Sequence, residues 1–404
     1  MQQIENGSVT SPRGFQAAGM HAGVKSDNQL KDLALVHSSI PCTAAAVYTK
    51  NRVQAAPIHV DRQHLQDGAA RAVILNSGNA NACTGETGMD HARRMCAATA
   101  AALGLVNSDV LVCSTGLIGS PLPIEKIETA IPSLAGSLSG DSGPDAAFGI
   151  MTTDTFPKHC AVEVELGAGR VTVGAIAKGA AMIAPNMATM LALVSTDARV
   201  PSEDLKTMLS SAVRRTFNCI TVDGDMSTND TVIAMANGAA LDDGVEVTVG
   251  SPDGEKLGQA MEAVCSEMAK AIARDAEGST KLITIRVNSA RVESEARKVG
   301  LSVANSNLVK TAMFGCDPNW GRILCAVGYS GVDLAPDHVT VQLCGTAIYA
   351  DGAGTDFDEA ALSTAMQAED IPVDIDLGAG SESAQIFTCD LTYDYVRLNA
   401  EYTT

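Results

Sequence analysis

A threonine that follows a small residue in an apolar run is the strongest chemical signal in this 404-residue chain. Thr189 lies directly after Ala188 within Lys178-Gly-Ala-Ala-Met-Ile-Ala-Pro-Asn-Met-Ala-Thr-Met-Leu191. Breaking the Ala188–Thr189 peptide bond would turn Thr189 into an N-terminal nucleophile. Such a residue needs no histidine or aspartate partner, because its own α-amine, with an ordinary pKa of ~7.7 to 8.0, accepts the hydroxyl proton. On pattern alone the same stretch also reads as a buried strand after a turn at Pro185 and Asn186, since β-branched residues and short apolar runs favour strands.

Acyl chemistry also needs donors for the oxyanion that develops on the attacked carbonyl. Cys113-Ser-Thr-Gly-Leu-Ile-Gly119 ends an apolar strand in a hydroxyl and a glycine, which makes Thr115 and Gly116 the candidates; the competing reading is a plain turn. Three further segments, 151–158, 217–230 and 276–281, concentrate hydroxyls, carboxylates and amides between apolar runs. Taken alone, Asp223, Asp225 and Asp230 read as solvent-exposed turn caps, and their spacing lacks the glycine and terminal glutamate of a calcium loop. The run 76–85 follows a strand and precedes a helix, but it has neither a P-loop ending nor dinucleotide-binding glycine spacing, so it reads as a polar loop supporting the site.

These segments, taken in order with 14–25, 310–331 and the final run 396–404, resemble the ornithine acetyltransferase (ArgJ) family. The resemblance extends from the first twenty residues to the last nine. It implies a layered mixed α/β fold of the N-terminal-nucleophile type, cut by its own chemistry between Ala188 and Thr189. An α chain (1–188) and a β chain (189–404) would stay packed as one unit, with two of each in a heterotetramer. The implied reaction is ping-pong transfer of acetyl from N2-acetyl-L-ornithine to L-glutamate through an acetyl-Thr189 ester. Acetyl-CoA is a second donor in bifunctional members and is the one co-substrate the sequence leaves open; no metal and no tightly held cofactor is expected.

The resemblance assigns Thr115 and Gly116 to the oxyanion hole, and Thr152, Lys178, Thr189, Glu277, Asn399 and Thr404 to substrate binding. An acetylated amino acid offers a carboxylate that suits Lys178, and ornithine's ammonium suits Glu277. For Asn399 and Thr404 to take part, the C-terminus must fold back over the pocket. Three positions depart from the family pattern: Ala181 where glycine is common, Met226 in a polar run, and Ala276-Glu-Gly-Ser279 in place of Gly-Glu-Gly-Ala. A glycine-only backbone angle at position 181 would make Ala181 slow the cleavage.

The elements that must hold these groups alternate between strands and helices. Strands are expected at 73–76, 110–113, 162–166, 283–287, 339–343 and 373–377, and helices at 89–103 and 256–275. The segment 139–144 reads as a loop. A helix after Pro201 has Ser202 as its cap and Leu205, Met208, Leu209, Ala212 and Val213 as its apolar face. No repeat or low-complexity linker divides the chain.

Composition narrows the function classes. With 46% hydrophobic residues and 3% aromatics, the core is built from aliphatic side chains. A formal charge of −19, with no compensating basic cluster, disfavours nucleic acid and anionic membrane as partners. Eleven cysteines without a Cys-x-x-Cys pair read as reduced, core-filling thiols, as at Cys113 and Cys325, and His159 and Cys160 as strand neighbours face opposite sides. With no leader or apolar span, the expected location is cytoplasmic. Two other readings compete: an amidohydrolase or aminopeptidase using the same nucleophile with water as acceptor, and a non-catalytic small-molecule-binding protein in which 180–192 is a core strand.

Overall fold

The computed structural model describes residues 1–183 and 190–401. Apolar strands dominate both halves and form two sheets. The first contains β1 (Gln2–Gln3), β2 (Phe15–Met20), β3 (Leu33–Tyr48), β4 (Ala69–Asn79), β5 (Val110–Leu117), β6 (Lys158–Leu166), β7 (Gly169–Lys178), β8 (Leu191–Thr196) and β9 (Thr231–Ala236). Its order is β1-β6-β7-β8-β9-β3-β4-β5, with β2 paired to β3 outside that path. The second contains β10 (Leu282–Ala290), β11 (Thr340–Leu343), β12 (Thr346–Ala350), β13 (Ala353–Gly354), β14 (Asp370–Asp376) and β15 (Glu382–Cys389), ordered β13-β12-β11-β14-β10-β15.

The helices are α1 (Ala56–His64), α2 (Gly85–Leu103), α3 (Ile124–Gly136), α4 (Gly143–Ile150), α5 (Ser202–Arg215) and α6 (Pro252–Arg274) in the first part of the chain. They are followed by α7 (Glu293–Ala304), α8 (Asn307–Phe314), α9 (Trp320–Gly328), α10 (Glu359–Ala365) and α11 (Tyr393–Glu401).

Strand β8 shows why the first sheet needs a layer on each face. Ala192 and Val194 pack into the cluster beneath α5 and α6, while Leu191 and Leu193 join the cluster that includes Ala146, Ala147 and Ile150 of α4. A strand buried on both faces is apolar throughout and not alternating. Strand β4 repeats the division, with Ala72 and Ile74 against α1, α2 and α3, and Val73 and Leu75 on the α4 side. The second sheet is covered by α7 to α10 through its own aliphatic cluster. The mixed α/β layering matches the sequence expectation, and the sheets meet where Thr221 N–H donates to Phe387 O at 3.0 Å.

The expected elements appear, several extended by a few residues, with three local differences. Pro201, not Ser202, occupies the cap of α5 and no side chain caps it; Ser202 opens the helix, and Glu203 and Asp204 supply the first-turn negative charge. Gly143 and Pro144 belong to α4, because proline is well suited to a first turn where its missing N–H is not needed. Cys325 is exposed, since the core face of α9 is Ile323, Ala326 and Val327. All five apolar positions expected on α5 are buried.

A boundary at 188/189 does not coincide with a sheet boundary. Strands β8 and β9, from the later part, are inserted between β7 and β3 from the earlier part. Antiparallel β7 and β8 pair with Lys178 opposite Leu191, and parallel β8 and β9 pair with Leu191 opposite Thr231.

Candidate active site

The ends of β5 and β7 and the beginnings of β8 and β9 surround one pocket of about 990 Å³, counting its open mouth. The parallel pairing of β4 and β5 sets its first wall, with Ser77 opposite Thr115 and Gly78 opposite Gly116. Asn229, just before β9, clips those strand ends together: its Nδ2 donates to Ala80 O at 2.6 Å and to Ser114 O at 2.8 Å. Gly116 has φ +129°, a backbone conformation that side chains rarely adopt. The run 76–85, in which Asn76 to Asn79 end β4 and residues 80–84 form the loop, therefore borders the site.

Thr115, Gly116, Thr152, Lys178, Glu277 and Asn399 all line this pocket, although they come from five separate parts of the chain. Ala188, Thr189 and Thr404 lie outside the described residues. The segment that contains Ala188 and Thr189 is nevertheless bracketed, because Met182 on one side and Met190 on the other both line the pocket.

Each bracket is anchored. Asp223 accepts from Met182 N at 2.6 Å and Ile183 N at 2.8 Å, Val222 N donates to Ile183 O at 2.6 Å, and Thr231 N donates to Met190 O at 3.0 Å. Met182 has φ +55° and Ala181 does not share this left-handed angle, so the departure from glycine at 181 carries no backbone strain. Asp223, Asp225 and Asp230 turn out to be pocket residues and not simply solvent-exposed caps; Asp230 is fully buried. Burial pushes the Asp223 carboxyl up from its ordinary pKa, while the N–H groups of Asp225, Met182 and Ile183 oppose that shift.

The C-terminal helix α11 closes the other side. Its residues are not buried, yet Asn399 Nδ2 donates to Glu277 Oε2 at 3.1 Å and Tyr395 OH lies 3.5 Å from Asp223 Oδ2, while buried Thr392, just before the helix, donates its Oγ1 hydrogen to Gly278 O at 2.6 Å. The folded-back C-terminus expected from sequence is present through Glu401. Glu277 itself is tied in by its N–H, which donates to Ala180 O at 3.0 Å.

Among the described pocket residues Lys178 is the one cation, set among the carboxylates of Asp223, Asp225, Asp230 and Glu277. Its Nζ donates to Thr115 Oγ1 at 3.3 Å, which links the candidate carboxylate binder to the candidate oxyanion residue. Burial lowers the Lys178 pKa, and Asp154 is the strongest influence in the opposite direction. The site thus offers one buried positive charge beside a hydroxyl, with several negative charges around it. That arrangement suits an amino acid whose carboxylate and side-chain ammonium bind at different ends.

Beneath the pocket floor lies a fully buried ion cluster that sequence reasoning did not identify. Lys158 Nζ lies 2.7 Å from Asp154 Oδ1 and 2.5 Å from Asp275 Oδ2, with all three side chains essentially inaccessible. Removing one member of such a cluster leaves an uncompensated charge, at a cost of about 3–5 kcal/mol. Another buried carboxylate, Asp32, accepts from the N–H groups of Ala22, Gly23, Val24 and Lys25. Lys25 Nζ then donates to Met151 O at 2.7 Å, next to Thr152, which gives the 14–25 segment its place in the site. Among the described residues there is no cluster of His, Cys, Asp and Glu suited to a metal, and no helix is long and apolar enough to cross a membrane.

The ArgJ family model matches residues 16–404. The chain belongs to the ArgJ family. It is 48% identical over 399 residues to the arginine biosynthesis bifunctional protein ArgJ of Symbiobacterium thermophilum, covering 98% of this chain and 99% of the relative. It is 46% identical over 403 residues to the protein of the same name from Listeria monocytogenes, with 100% of both covered. The crystal structure of arginine biosynthesis bifunctional protein ArgJ from Bacillus halodurans aligns with 40% identity and a TM-score of 0.50, covering 52% of this chain and 98% of that one. ArgJ relatives therefore extend over both sheets and the whole pocket wall.

Proposed function

We propose that this protein is a self-processing acetyltransferase of arginine biosynthesis that moves acetyl from N2-acetyl-L-ornithine to L-glutamate. The observation that carries this reading is the convergence of Thr115, Gly116, Thr152, Lys178, Glu277 and Asn399 on one pocket, at the place where the chain enters and leaves the segment holding Thr189. In the first step the Thr189 hydroxyl attacks the Ala188 carbonyl. The acyl group shifts from nitrogen to oxygen, and water hydrolyses the resulting ester. The freed α-amine then serves as base while Thr189 takes acetyl from acetylornithine, releasing ornithine, and delivers it to the glutamate amine.

Thr115 and Gly116 stabilise the oxyanion in both reactions. Lys178 receives the substrate carboxylate and Glu277 the ornithine ammonium. The family relationship supports the acetyl chemistry, and the share of this chain covered by the Bacillus halodurans structure supports a division near its middle.

Denaturing electrophoresis with N-terminal sequencing tests the first step. Two pieces of 188 and 216 residues (404 − 188 = 216) are expected, the larger beginning Thr-Met-Leu-Ala. One uncut, fully active polypeptide would overturn the mechanism. Acetate release from acetylornithine that is indifferent to glutamate would instead favour the hydrolase.

Asp223 anchors the segment leading to the scissile bond. Asp223→Asn keeps one acceptor oxygen and replaces the other with a donor that faces an N–H. Processing of the 404-residue precursor is expected to slow ~10-fold, the scale of losing one hydrogen bond to a charged acceptor. A time course of fragment appearance after synthesis in a cell-free system measures this; an unchanged rate removes Asp223 from the processing step.

A further inference from the structure

We infer that Asp154 is a positioning residue of the acetyl-transfer site: a buried carboxylate that holds the Thr152 and Gly179 backbones and supplies the counter-charge for Lys178. This inference rests on the acetyltransferase reading above. Three contacts carry it. Asp154 Oδ2 accepts from Thr152 N at 2.9 Å, Asp154 Oδ1 accepts from Gly179 N at 2.7 Å, and the same Oδ1 meets Lys158 Nζ at 2.7 Å. One carboxylate thus fixes the backbone on both sides of the pocket floor: the peptide carrying Thr152 and the one that follows Lys178.

The fourth partner explains why the carboxylate stays charged while fully buried. Burial alone would raise its pKa, but Lys178, Lys158 and the Gly179 N–H hold it at about 2. Lys158 is itself shared with Asp275, whose carboxylate accepts from Thr155 N at 3.0 Å and from the Thr155 hydroxyl. The groups whose charge acts on Lys178 are Asp154 from the loop before β6, Lys158 from β6, Asp230 from the segment before β9, Glu277 from the turn after α6, and Lys25 from the loop after β2. The Asp275–Lys158 pair completes the layer, so Lys158 keeps a partner if Asp154 loses its charge. Lys178 would be left with the weaker influence of Asp230 and Glu277, which line the pocket that the substrate ammonium enters.

The sign of the pH effect follows. Burial lowers the Lys178 pKa and the Asp154 charge raises it. Neutralising Asp154 lowers it further, so Lys178 loses its proton, and with it the substrate carboxylate, at lower pH than in the wild type.

The test uses the mature wild-type enzyme and three variants, with kcat and KM for acetylornithine recorded against pH. In Asp154→Asn the alkaline limb of kcat/KM is expected to move to lower pH and KM to rise ~10-fold, the scale of a hydrogen-bonded charge. Asp275→Asn disturbs the same buried layer without touching Thr152, Gly179 or Lys178, and its alkaline limb is expected to stay at the wild-type position. Asp154→Glu retains the charge but displaces the oxygens, so the limb stays while KM rises.

An Asp154→Asn enzyme with the wild-type limb and KM overturns the inference, as does a limb that moves equally in Asp275→Asn. If Asp154→Asn does not accumulate as folded protein, Asp154→Glu decides alone, and an unchanged KM overturns it. Wild-type protein that transfers no acetyl group would instead refute the acetyltransferase reading.

Discussion

Thr189→Ala is expected to yield a single 404-residue polypeptide that forms no N-acetylglutamate from acetylornithine. Both losses have one cause on the proposed mechanism. The hydroxyl that attacks the Ala188 carbonyl is the one that later carries acetyl, and the α-amine that serves as its base exists only after the cut. The anchors around the segment do not depend on that hydroxyl. Asp223 holds Met182 and Ile183, and Thr231 holds Met190, through backbone groups. The variant should therefore fold and keep its pocket, so its inactivity reports chemistry and not collapse. Circular dichroism and a thermal melt establish the fold, electrophoresis establishes the uncut chain, and a coupled assay of N-acetylglutamate establishes the loss. Mass spectrometry of wild-type protein quenched with acetylornithine should find an acetyl group on the peptide that begins at Thr189. A Thr189→Ala protein that still transfers acetyl would end the proposal.

The second large effect is expected from Gly116→Ala, through one added methyl group. A Cβ on Gly116 would stand 2.5 Å from the Asn79 nitrogen and closer still to the Gly78 carbonyl carbon. These are backbone atoms of the adjacent β4, held in parallel register with β5, so no side chain can swing aside. The φ of +129° adds strain of its own, and together these terms are on the order of 1–3 kcal/mol or more. Relief requires β5 to move away from β4 at the point where Thr115 and Gly116 face the pocket. Oxyanion stabilisation falls off steeply when a donor is displaced, and losing one costs ~10² to 10³ in rate. Processing and acetyl transfer should therefore both drop by at least ~10², with Thr152 and Lys178 left in place. Parallel measurement of fragment appearance and steady-state transfer checks this, and wild-type rates for both would remove Gly116 from the oxyanion site.

How much of this was legible in the sequence differs by the kind of signal. The face of α5 could be read directly because Leu205, Met208, Leu209, Ala212 and Val213 follow a helical period, which is a local property. The identity of Ser202 as cap could not, because Pro201 and Ser202 both suit a helix start and their dihedral angles decide between them. Thr115 had a weak local signature, a hydroxyl before a glycine at the end of an apolar strand, whereas Lys178, Glu277 and Asn399 became site candidates only through their place in a family pattern. Asp154 stayed hidden for a different reason. Between two threonines it looks like a turn cap, and its layer is completed by Asp275, whose contact with Thr155 spans 120 positions. The acids of 217–230 were illegible for the same cause, since their place at the pocket is set by contacts distant in sequence, such as those of Asp223 with Met182 and Ile183.

The proposed scission at 188/189 would cut across the strand order of the first sheet. The earlier piece alone would retain β1, β6 and β7 as one fragment of sheet and β2, β3, β4 and β5 as another, with a two-strand gap between them. Two apolar edges, along β7 and β3, would then face water as templates for mispairing. The later piece would keep the whole second sheet, but its β8 and β9 would be a lone ribbon, too narrow to be stable by itself. Neither product would complete the first sheet by itself, so an enzyme cut there would be held together by the pairing of β8 with β7 and of β9 with β3. The two pieces would be partners by topology, and mixing separately made halves is expected to give aggregate where a single precursor gives enzyme.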